Sequence, residues 1–253
     1  MKLITLNAWG GKLYEPLIDF LKNHSQDTDI FFFQDILFGK EAGFSPIQKG
    51  RINLFDEMKN VLSDFNTFVF RDPEESFIHG EVLPKDIGCG QAIFVKKNIE
   101  VKESGGFRGL DRITDDDIAP GRFQWLSLSS DEVRDIVLVN FHGMWQKGSN
   151  KLDTPERLIQ SRKMHEFLGS HTGKKLIAGD FNMVPDGEAM SILEEGMVNL
   201  IKKYNITSTR SSHYPKEEKF ADYVLVSEDV EVKDFKVFPD EISDHLAVGV
   251  DFG

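Results

Sequence analysis

The sequence predicts an α/β fold whose β-sheets are mixed or antiparallel. Short apolar runs typical of buried strands recur along the whole chain. Other segments carry apolar residues at the spacing of one helix face. Several predicted strands follow one another with no helix between them, whereas parallel neighbours would need a long crossover connection. This order of elements therefore favours sheets that contain antiparallel pairs.

The predicted elements cover most of the chain. Helical spacing predicts helices over 14–23, 51–63, about 154–168 and near 188–195. The third has the clearest beginning, because Thr154 can cap its first turn and Pro155 suits its first position. Strands are predicted over 2–7, 29–34, 68–70, 89–95, 123–128, 135–141, 175–180 and 220–226, with further strands and short loops towards the C-terminus. Polar stretches predict loops over 38–50, 71–88, 103–121 and 143–153, and a hairpin turn around 129–132.

Length and composition suit one domain over residues 1–253. The formal net charge of −12 argues against a protein that grips nucleic acid through a basic face, although a bound divalent cation would supply local positive charge. The one cysteine, Cys89, excludes an internal disulfide. The first residues turn polar too early for a signal peptide, and no apolar run is long enough to span a membrane. We expect a soluble, cytoplasmic monomer.

The most informative stretch is LIAGDFN at residues 176–182. Its apolar run predicts a buried strand, which ends at a glycine followed by Asp180 and Asn182. These two polar residues are two positions apart, so they face the same side of an extended chain. Their burial costs stability unless something compensates for the lost hydration. A metal ion or a phosphate-bearing substrate would do so.

Five other strands show the same pattern. Each apolar run ends in, or carries, a polar residue with oxygen or imidazole ligands: Asn7, Asp35 after Gln34, His142 after Asn140, Asp222, and Asp244 with His245. Ligand sites in layered α/β proteins lie at strand ends, where loops converge. The sequence therefore predicts a functional site built from strand ends.

In this order the six segments resemble the endonuclease/exonuclease/phosphatase superfamily, which includes deoxyribonuclease I, apurinic endonucleases, tyrosyl-DNA phosphodiesterases, deadenylases, neutral sphingomyelinases and inositol polyphosphate phosphatases. The resemblance extends from Leu3 to Phe252. Its most specific part is GDFN at 179–182 combined with SDH at 243–245. It implies a deoxyribonuclease I-like four-layer α/β sandwich, in which two packed mixed or antiparallel β-sheets are flanked by helices.

The resemblance also implies a metal site. Asp35, Asp244 and Asn7 would hold Mg²⁺, with Mn²⁺ as the other candidate, because these ions prefer oxygen ligands. Gln34 and Asn140 would support this site from behind. In the family, the position of Asp35 is usually Glu, so the shorter side chain predicts a bridging water or a displaced ion.

The catalytic roles implied by the resemblance fall on five residues. Asp180 would be the general base for the attacking water, and Asn182 would hold it and contact the phosphate. His245 and His142 would contact the phosphate, and Asp222 would orient the ring of His245. Ordinary alternatives stay open. Asp180 and Asn182 could form an Asx turn, and Asp222 and His245 could be a buried Asp–His pair without a catalytic role.

The predicted function is Mg²⁺-dependent hydrolysis of phosphoester bonds by in-line attack of a water activated by Asp180. A nuclease or phosphodiesterase that acts on DNA or RNA is favoured. A phosphatase or phosphodiesterase for a sugar, inositol or lipid phosphate stays open. So does a non-catalytic phosphate-binding module, which only Asp35 favours.

The residues around these motifs carry weaker predictions. Three polar residues of the third helix are expected on its solvated face: Arg157, Gln160 and Arg162. Trp145 is expected in an exposed loop. The loops over 71–88, 103–121 and 143–153 are expected to rim the cleft with mixed, acid-leaning charge. Such a rim predicts few phosphate contacts and weak binding of long duplex DNA.

Overall fold

The computed structural model describes residues 1–45, 49–71, 77–78, 81–83, 86–110, 118–128 and 135–253. Its helices are α1 (Tyr14–His24), α2 (Leu54–Val61), α3 (Pro155–Gly169), α4 (Glu188–Glu194) and α5 (Leu200–Lys203). Its strands are β1 (Lys2–Asn7), β2 (Ile30–Phe38), β3 (Phe65–Arg71), β4 (Phe77–Ile78), β5 (Glu81–Val82), β6 (Gly88–Lys96), β7 (Val101–Arg108), β8 (Ile118–Ala119), β9 (Arg122–Leu128), β10 (Ile136–His142), β11 (Trp145–Gln146), β12 (Lys174–Asp180), β13 (Met197–Asn199), β14 (Asp222–Ser227), β15 (Val232–Val237) and β16 (Val248–Phe252). Every helix in this part of the chain is too short or too polar to cross a membrane.

Two six-stranded sheets form the centre of the described structure. The first has the strand order β15-β16-β1-β2-β6-β3, and the second has the order β13-β14-β12-β10-β9-β7. β1 is parallel to β2, and β10 is parallel to β12. The other neighbours within these two sheets pair in antiparallel fashion. Both sheets are therefore mixed, as the order of elements predicted.

The sheets pack face to face because successive residues of a strand point to opposite faces. In the first sheet, Leu3 and Phe32 belong to a large apolar cluster that they share with the second sheet. Ile4, Phe31 and Phe33 join α1 and α2 in a separate cluster. The helices α3, α4 and α5 add buried residues to the large cluster. The result is the four-layer α/β sandwich that the resemblance implied.

The expected loop over residues 103–121 is wrong in part, because β7 begins at Val101. Two glycines hide the strand pattern, and close packing requires both of them. A Cβ on Gly105 would lie 2.7 Å from Nε1 of Trp125, and a Cβ on Gly106 would lie 2.5 Å from the ring of Phe70. Larger side chains would collide with these rings.

Other local differences affect the loops. Trp145, expected in an exposed loop, lies in β11 and pairs with β8. Residues 204–221 lie between α5 and β14 without a regular element, where the sequence predicted strands joined by short loops. Within 71–88, β4 and β5 form a small paired unit. The hairpin turn at 129–132 and residues 111–117 of the expected loop over 103–121 lie outside the described residues.

Candidate active site

Four predicted site residues meet at one edge of the second sheet. β10 ends at His142, which is paired with Asp180 at the end of β12. β14 begins at Asp222, which is paired with Asp180 from the other side. His245 comes from the segment before β16, and its Nδ1 lies 2.8 Å from Oδ2 of Asp222. The parallel and antiparallel registers thus bring distant parts of the chain together.

Asn7 connects this edge to the first sheet. Its Nδ2 donates hydrogen bonds of 3.0 Å to Oδ2 of Asp35 and of 3.0 Å to Oδ2 of Asp180. Its Oδ1 accepts a hydrogen bond of 2.9 Å from the backbone N–H of Trp9. These contacts fix which way the amide points. Asn7 therefore holds two carboxylates from different sheets in one place.

The sequence suggested that Asp35 follows the end of its strand. In the structure it lies within β2, which continues to Phe38. The pairing of β2 with β6 is irregular between Phe33 and Ile36, and Asp35 has a φ of 51°. Asp and Asn adopt this left-handed conformation more readily than other residues with a Cβ. The bulge therefore gives a backbone reason for Asp at a position where the resemblance implies Glu.

A buried polar network lies behind Asp35. Nε2 of Gln34 donates to Oδ1 of Asn140 at 2.7 Å and to the hydroxyl of Thr5 at 3.1 Å. Nδ2 of Asn140 donates to the backbone oxygens of Phe33 and Ala92 at 3.2 and 3.3 Å. These oxygens belong to the two strands that flank the bulge. The network therefore supplies hydrogen bonds where the β2–β6 ladder is interrupted.

Asp180 and Asn182 form the Asx turn that the sequence left open, and they also line the pocket. The backbone N–H of Asn182 donates to Oδ1 of Asp180 at 3.0 Å. Asn182 has a φ of 52°, and its Nδ2 donates to the backbone oxygen of Gly143 at 3.2 Å. The turn fixes the Asp180 carboxylate against rotation.

Positive neighbours keep Asp180 ionised. Burial is the largest single influence and raises its pKa. The imidazoles of His245 and His142, together with Arg210 and Lys151, outweigh burial and lower the pKa to about 2. Asp180 is therefore a carboxylate at neutral pH, and it can accept a proton or a hydrogen bond.

His245 lies among three carboxylates. Burial and the guanidinium of Arg210 lower its pKa. The carboxylates of Asp222, Asp244 and Asp180 raise the pKa, and their effect prevails. Nε2 of His245 lies 3.6 Å from Oδ2 of Asp180. The ring thus holds a proton more firmly than an ordinary histidine, with Asp222 on its Nδ1.

The contacts of the predicted metal ligands decide how well each of them could hold a divalent cation. Asp35 and Asp244 fit a hard divalent cation, because both are carboxylates that line the pocket while only 6% exposed each. Asn7 fits less directly, since its Oδ1 is already bonded. A different set of acidic and imidazole groups is the one whose ligand atoms lie within 4.8 Å of one another among the described residues. It consists of Asp180, Asp222 and His245. The His245 hydrogen bond to Asp222 explains that cluster without an ion.

Of the cations beside this cluster, sequence reasoning placed Lys151 only among the mixed charges of an expected rim loop, and it missed Arg210. NH1 of Arg210 lies 3.2 Å from Oδ2 of Asp244, and Lys151 forms an ion pair with Glu218. The ring of Tyr214 lies 4.0 Å from the Arg210 guanidinium carbon. The one signal concerns chain position: the stretch that carries Arg210 and Tyr214 directly precedes the strand that begins with Asp222. This places the end of the stretch near the site, but it does not predict that Arg210 and Lys151 lie together.

The expectation that Arg157 and Gln160 lie on a solvated helix face is wrong. Both are buried, at 1% and 0% exposure, whereas Arg162 is exposed as expected. Thr154 caps α3 as predicted, and the guanidinium of Arg157 donates to the backbone oxygen of Leu152. Oε1 of Gln160 accepts a hydrogen bond of 2.7 Å from a backbone N–H of the preceding loop, at Met144. The polar face of α3 therefore supports the loop over 143–153.

The site forms a pocket of about 660 Å³, within the range of small-ligand pockets. Among the residues that the structure describes, six lysine and arginine side chains and five carboxylates line it, although the whole chain has a net charge of −12. The charged lining residues are Lys12, Asp35, Arg122, Lys151, Arg157, Asp180, Arg210, Lys216, Glu217, Glu218 and Asp244. The described lining is thus more positive than the chain as a whole.

Two of the three predicted rim loops reach this pocket. Residues from 143–153 and the end of 103–121 line it, together with 214–218, which the sequence did not predict. No described residue of the loop over 71–88 lines the pocket.

A family model described as the Endonuclease/Exonuclease/phosphatase family matches residues 4–245. Among curated proteins, none is similar enough in sequence to match the chain.

Solved structures share the fold at low sequence identity. A Bacteroides thetaiotaomicron mannosyl-6-phosphatase is 17% identical, with a TM-score of 0.70 over 100% of this chain and 99% of that chain. The human Nocturnin catalytic domain with bound sulfate is 15% identical, with a TM-score of 0.70 over 100% and 94% of the two chains. Truncated Caenorhabditis elegans TDP2 is 16% identical, with a TM-score of 0.65 over 99% and 96%. These similarities confirm the predicted fold.

Proposed function

Because the chain belongs to the endonuclease/exonuclease/phosphatase family, we propose that it hydrolyses phosphoester bonds with the help of a divalent cation. Proteins of this family are generally hydrolytic phosphoesterases. One observation carries the proposal: Nε2 of His142 and Nε2 of His245 lie 4.0 and 3.6 Å from the same oxygen of Asp180, in a pocket. A phosphate placed there would meet an ionised carboxylate and two imidazoles at once.

Asp180 acts as the general base. Its low pKa keeps it ionised, and its hydrogen bonds to Asn7 and Asn182 keep its orientation constant. A water bonded to it attacks phosphorus in line with the ester oxygen. The new P–O bond forms as the ester bond breaks, and the water proton passes to Asp180. A bound phosphate adds negative charge, which raises the pKa of Asp180 towards a more useful value for a base.

His245 donates a hydrogen bond to the phosphate. Its Nδ1–H is directed at Asp222, so Nε2 is a donor only when the ring is protonated. The upward shift of its pKa favours that form. His142 donates from the opposite side of Asp180, and the Asn182 amide lines the same pocket. These donors stabilise the charge that develops on the phosphoryl oxygens.

Asp35 and Asp244 would hold the cation, and Mg²⁺ or Mn²⁺ suits their oxygen ligands better than zinc does. When bound, it would neutralise charge on the phosphate and on the leaving oxygen. Asn7 holds Asp35 at a fixed distance from Asp180. The pocket thereby aligns the carboxylates that bind the cation with the one that takes the proton.

The test uses p-nitrophenyl phosphate and bis(p-nitrophenyl) phosphate with Mg²⁺, Mn²⁺ or chelator. We expect metal-dependent release of nitrophenol, and a fall of at least ~10²-fold in Asp180→Asn, as for the loss of a general base. Asp186→Asn is the matched control, because that side chain is 91% exposed, and it should keep full activity. Full activity in chelator, or in Asp180→Asn, would overturn the proposal. Phosphate binding without turnover of any ester would favour the non-catalytic module instead.

A further inference from the structure

Two buried cations and one aromatic ring stand beside the catalytic residues. Arg210 and Lys151 have side chains that are only 5% and 11% exposed. The ring of Tyr214 lies 4.0 Å from the guanidinium carbon of Arg210 and 5.4 Å from Nζ of Lys151. We call these three residues the cation clamp. All three line the pocket, and both cations act electrostatically on Asp180.

The backbone around Lys151 is held in an unfavourable conformation. Asn150 and Lys151 have φ values of 50° and 62°, in the left-handed region that side chains with a Cβ rarely adopt. The guanidinium of the buried Arg157 donates hydrogen bonds to the loop over 143–153, at the backbone oxygen of Leu152 and the hydroxyl of Ser149. Strained backbone persists where the surrounding structure enforces it, and it concentrates at functional sites. The fold thus places Lys151 in the pocket wall at a cost in stability.

The clamp keeps donors in reserve. A lysine ammonium has three donors, and Nζ of Lys151 uses two of them, one on Glu218 and one on the backbone oxygen of Phe220, at 2.7 Å. An arginine has five donors, and the side-chain partner of Arg210 among the described residues is Asp244. Nε of Arg210 is buried without a partner in the part of the chain that the structure describes. Such a donor costs stability unless a ligand satisfies it.

The two cations of the clamp also repel each other, although each has a carboxylate partner, in Glu218 and Asp244. Burial and the nearby guanidinium of Arg210 lower the pKa of Lys151, and this effect prevails over the carboxylates of Asp180 and Glu218, which raise the pKa. An additional anion next to both would relieve this repulsion. The net charge of −12 makes this cationic pocket wall an exception within the chain.

We propose that the cation clamp recognises the second negative charge of a terminal phosphate, and that the substrates of this site are therefore phosphomonoesters. A monoester carries about −1.5 to −2 charges at pH 7, whereas the phosphate of a diester carries one. The scissile phosphate has His142, His245 and Asn182 as donors in either case. Only the monoester has the extra charge that Lys151 and Arg210 can stabilise. This proposal rests on the proposed function of the same site, and it departs from the nuclease that the sequence favoured.

The first experiment compares kcat/KM for p-nitrophenyl phosphate and bis(p-nitrophenyl) phosphate, which have the same leaving group. The wild type should prefer the monoester. In Lys151→Gln and in Arg210→Gln, the ratio of monoester to diester kcat/KM should fall by about 10- to 100-fold, the range for losing a hydrogen bond to a charged group. Lys216→Gln removes an exposed lysine from the same pocket lining and should leave the ratio within about threefold, since exposed charges contribute little. A wild-type preference for the diester, or an unchanged ratio in both clamp variants, would overturn the clamp assignment and leave phosphoester hydrolysis intact.

A second measurement needs neither turnover nor a folded clamp variant. Calorimetry compares the binding of inorganic phosphate and of dimethyl phosphate to the wild-type protein and to Asp180→Asn. Inorganic phosphate should bind at least about tenfold more tightly, by the same charge argument. Equal affinities would refute the clamp even if no ester is hydrolysed, whereas the absence of hydrolysis alone would refute only the proposed function. Phosphate release from a hexose phosphate and from an end-phosphorylated single strand then separates the two sources of a terminal phosphate.

Discussion

Replacing Asp35 separates its backbone role from its charge. Asp35 has a φ of 51° at the bulge of β2 and is 6% exposed. Asp35→Glu keeps the charge but places a poorly suited residue in the left-handed region, which costs roughly 1–2 kcal/mol. The added methylene in a nearly buried position costs at least a similar amount, about 1 kcal/mol. The two costs add, so we expect Asp35→Glu to lower the free energy of unfolding by about 2–3 kcal/mol.

Asp35→Asn is the matched variant, because Asn tolerates a positive φ at least as well as Asp. A change of 1 kcal/mol shifts the melting temperature of a protein of this size by about 2–4 °C. Without metal, Asp35→Glu should thus melt about 4–12 °C below the wild type, and Asp35→Asn within about 2 °C of it. With Mg²⁺ added, the wild type and Asp35→Glu should gain melting temperature, and Asp35→Asn should gain less.

Differential scanning fluorimetry, with and without Mg²⁺, reads out both effects. If Asp35→Glu melts with the wild type, the left-handed backbone does not explain why Asp stands here. If Asp35→Asn gains as much from Mg²⁺ as the wild type, Asp35 does not hold the ion.

Three further predictions concern the neighbouring groups. In the metal-free protein, NMR should show His245 titrating above the ordinary histidine pKa, and Asp222→Asn should lower that pKa, because the variant removes a carboxylate that raises it; an unchanged pKa would exclude that role for the carboxylate. His245 therefore stays protonated to higher pH in the wild type than in Asp222→Asn, so the alkaline loss of activity should occur at lower pH in Asp222→Asn than in the wild type. Asn140→Leu should lower the free energy of unfolding in urea by about 2–4 kcal/mol, because it leaves buried partners unbonded, while the exposed Asn60→Leu stays within about 0.5 kcal/mol; equal effects would contradict this. Asp180→Asn should bind duplex DNA weakly with a shallow salt dependence, and a slope near that of a protein with six or more phosphate contacts would place it with duplex-reading nucleases.

The strand pattern and the polar strand ends could be predicted from the sequence, because both depend on local periodicity. The buried apolar runs of β1 and β2, the capped start of α3, and the polar residues at Asn7, His142 and Asp180 all follow from residue order alone. Their meeting at one edge could also be expected, since parallel strands end on the same side. The single domain over residues 1–253 stays a prediction.

The position of Asp35, the burial of Arg157 and Gln160, and the cation clamp could not be predicted in the same way. A positive φ at a bulge depends on the ladder with β6 and on the Asn140 amide between the strands, neither of which leaves a local signal. Polar residues on α3 look solvated until the loop over 143–153 is seen to need their hydrogen bonds.

The sequence by itself determined which residues lie at strand ends and what chemistry they offer, because side-chain periodicity and ligand type are properties of nearby residues. Only the tertiary structure decided which charges surround them. Lys151 and Arg210 are 59 positions apart and lie in segments without regular structure, yet both cations line the same pocket. Electrostatic neighbours are set by distance in space, and no pattern along the chain encodes that distance for residues in irregular segments.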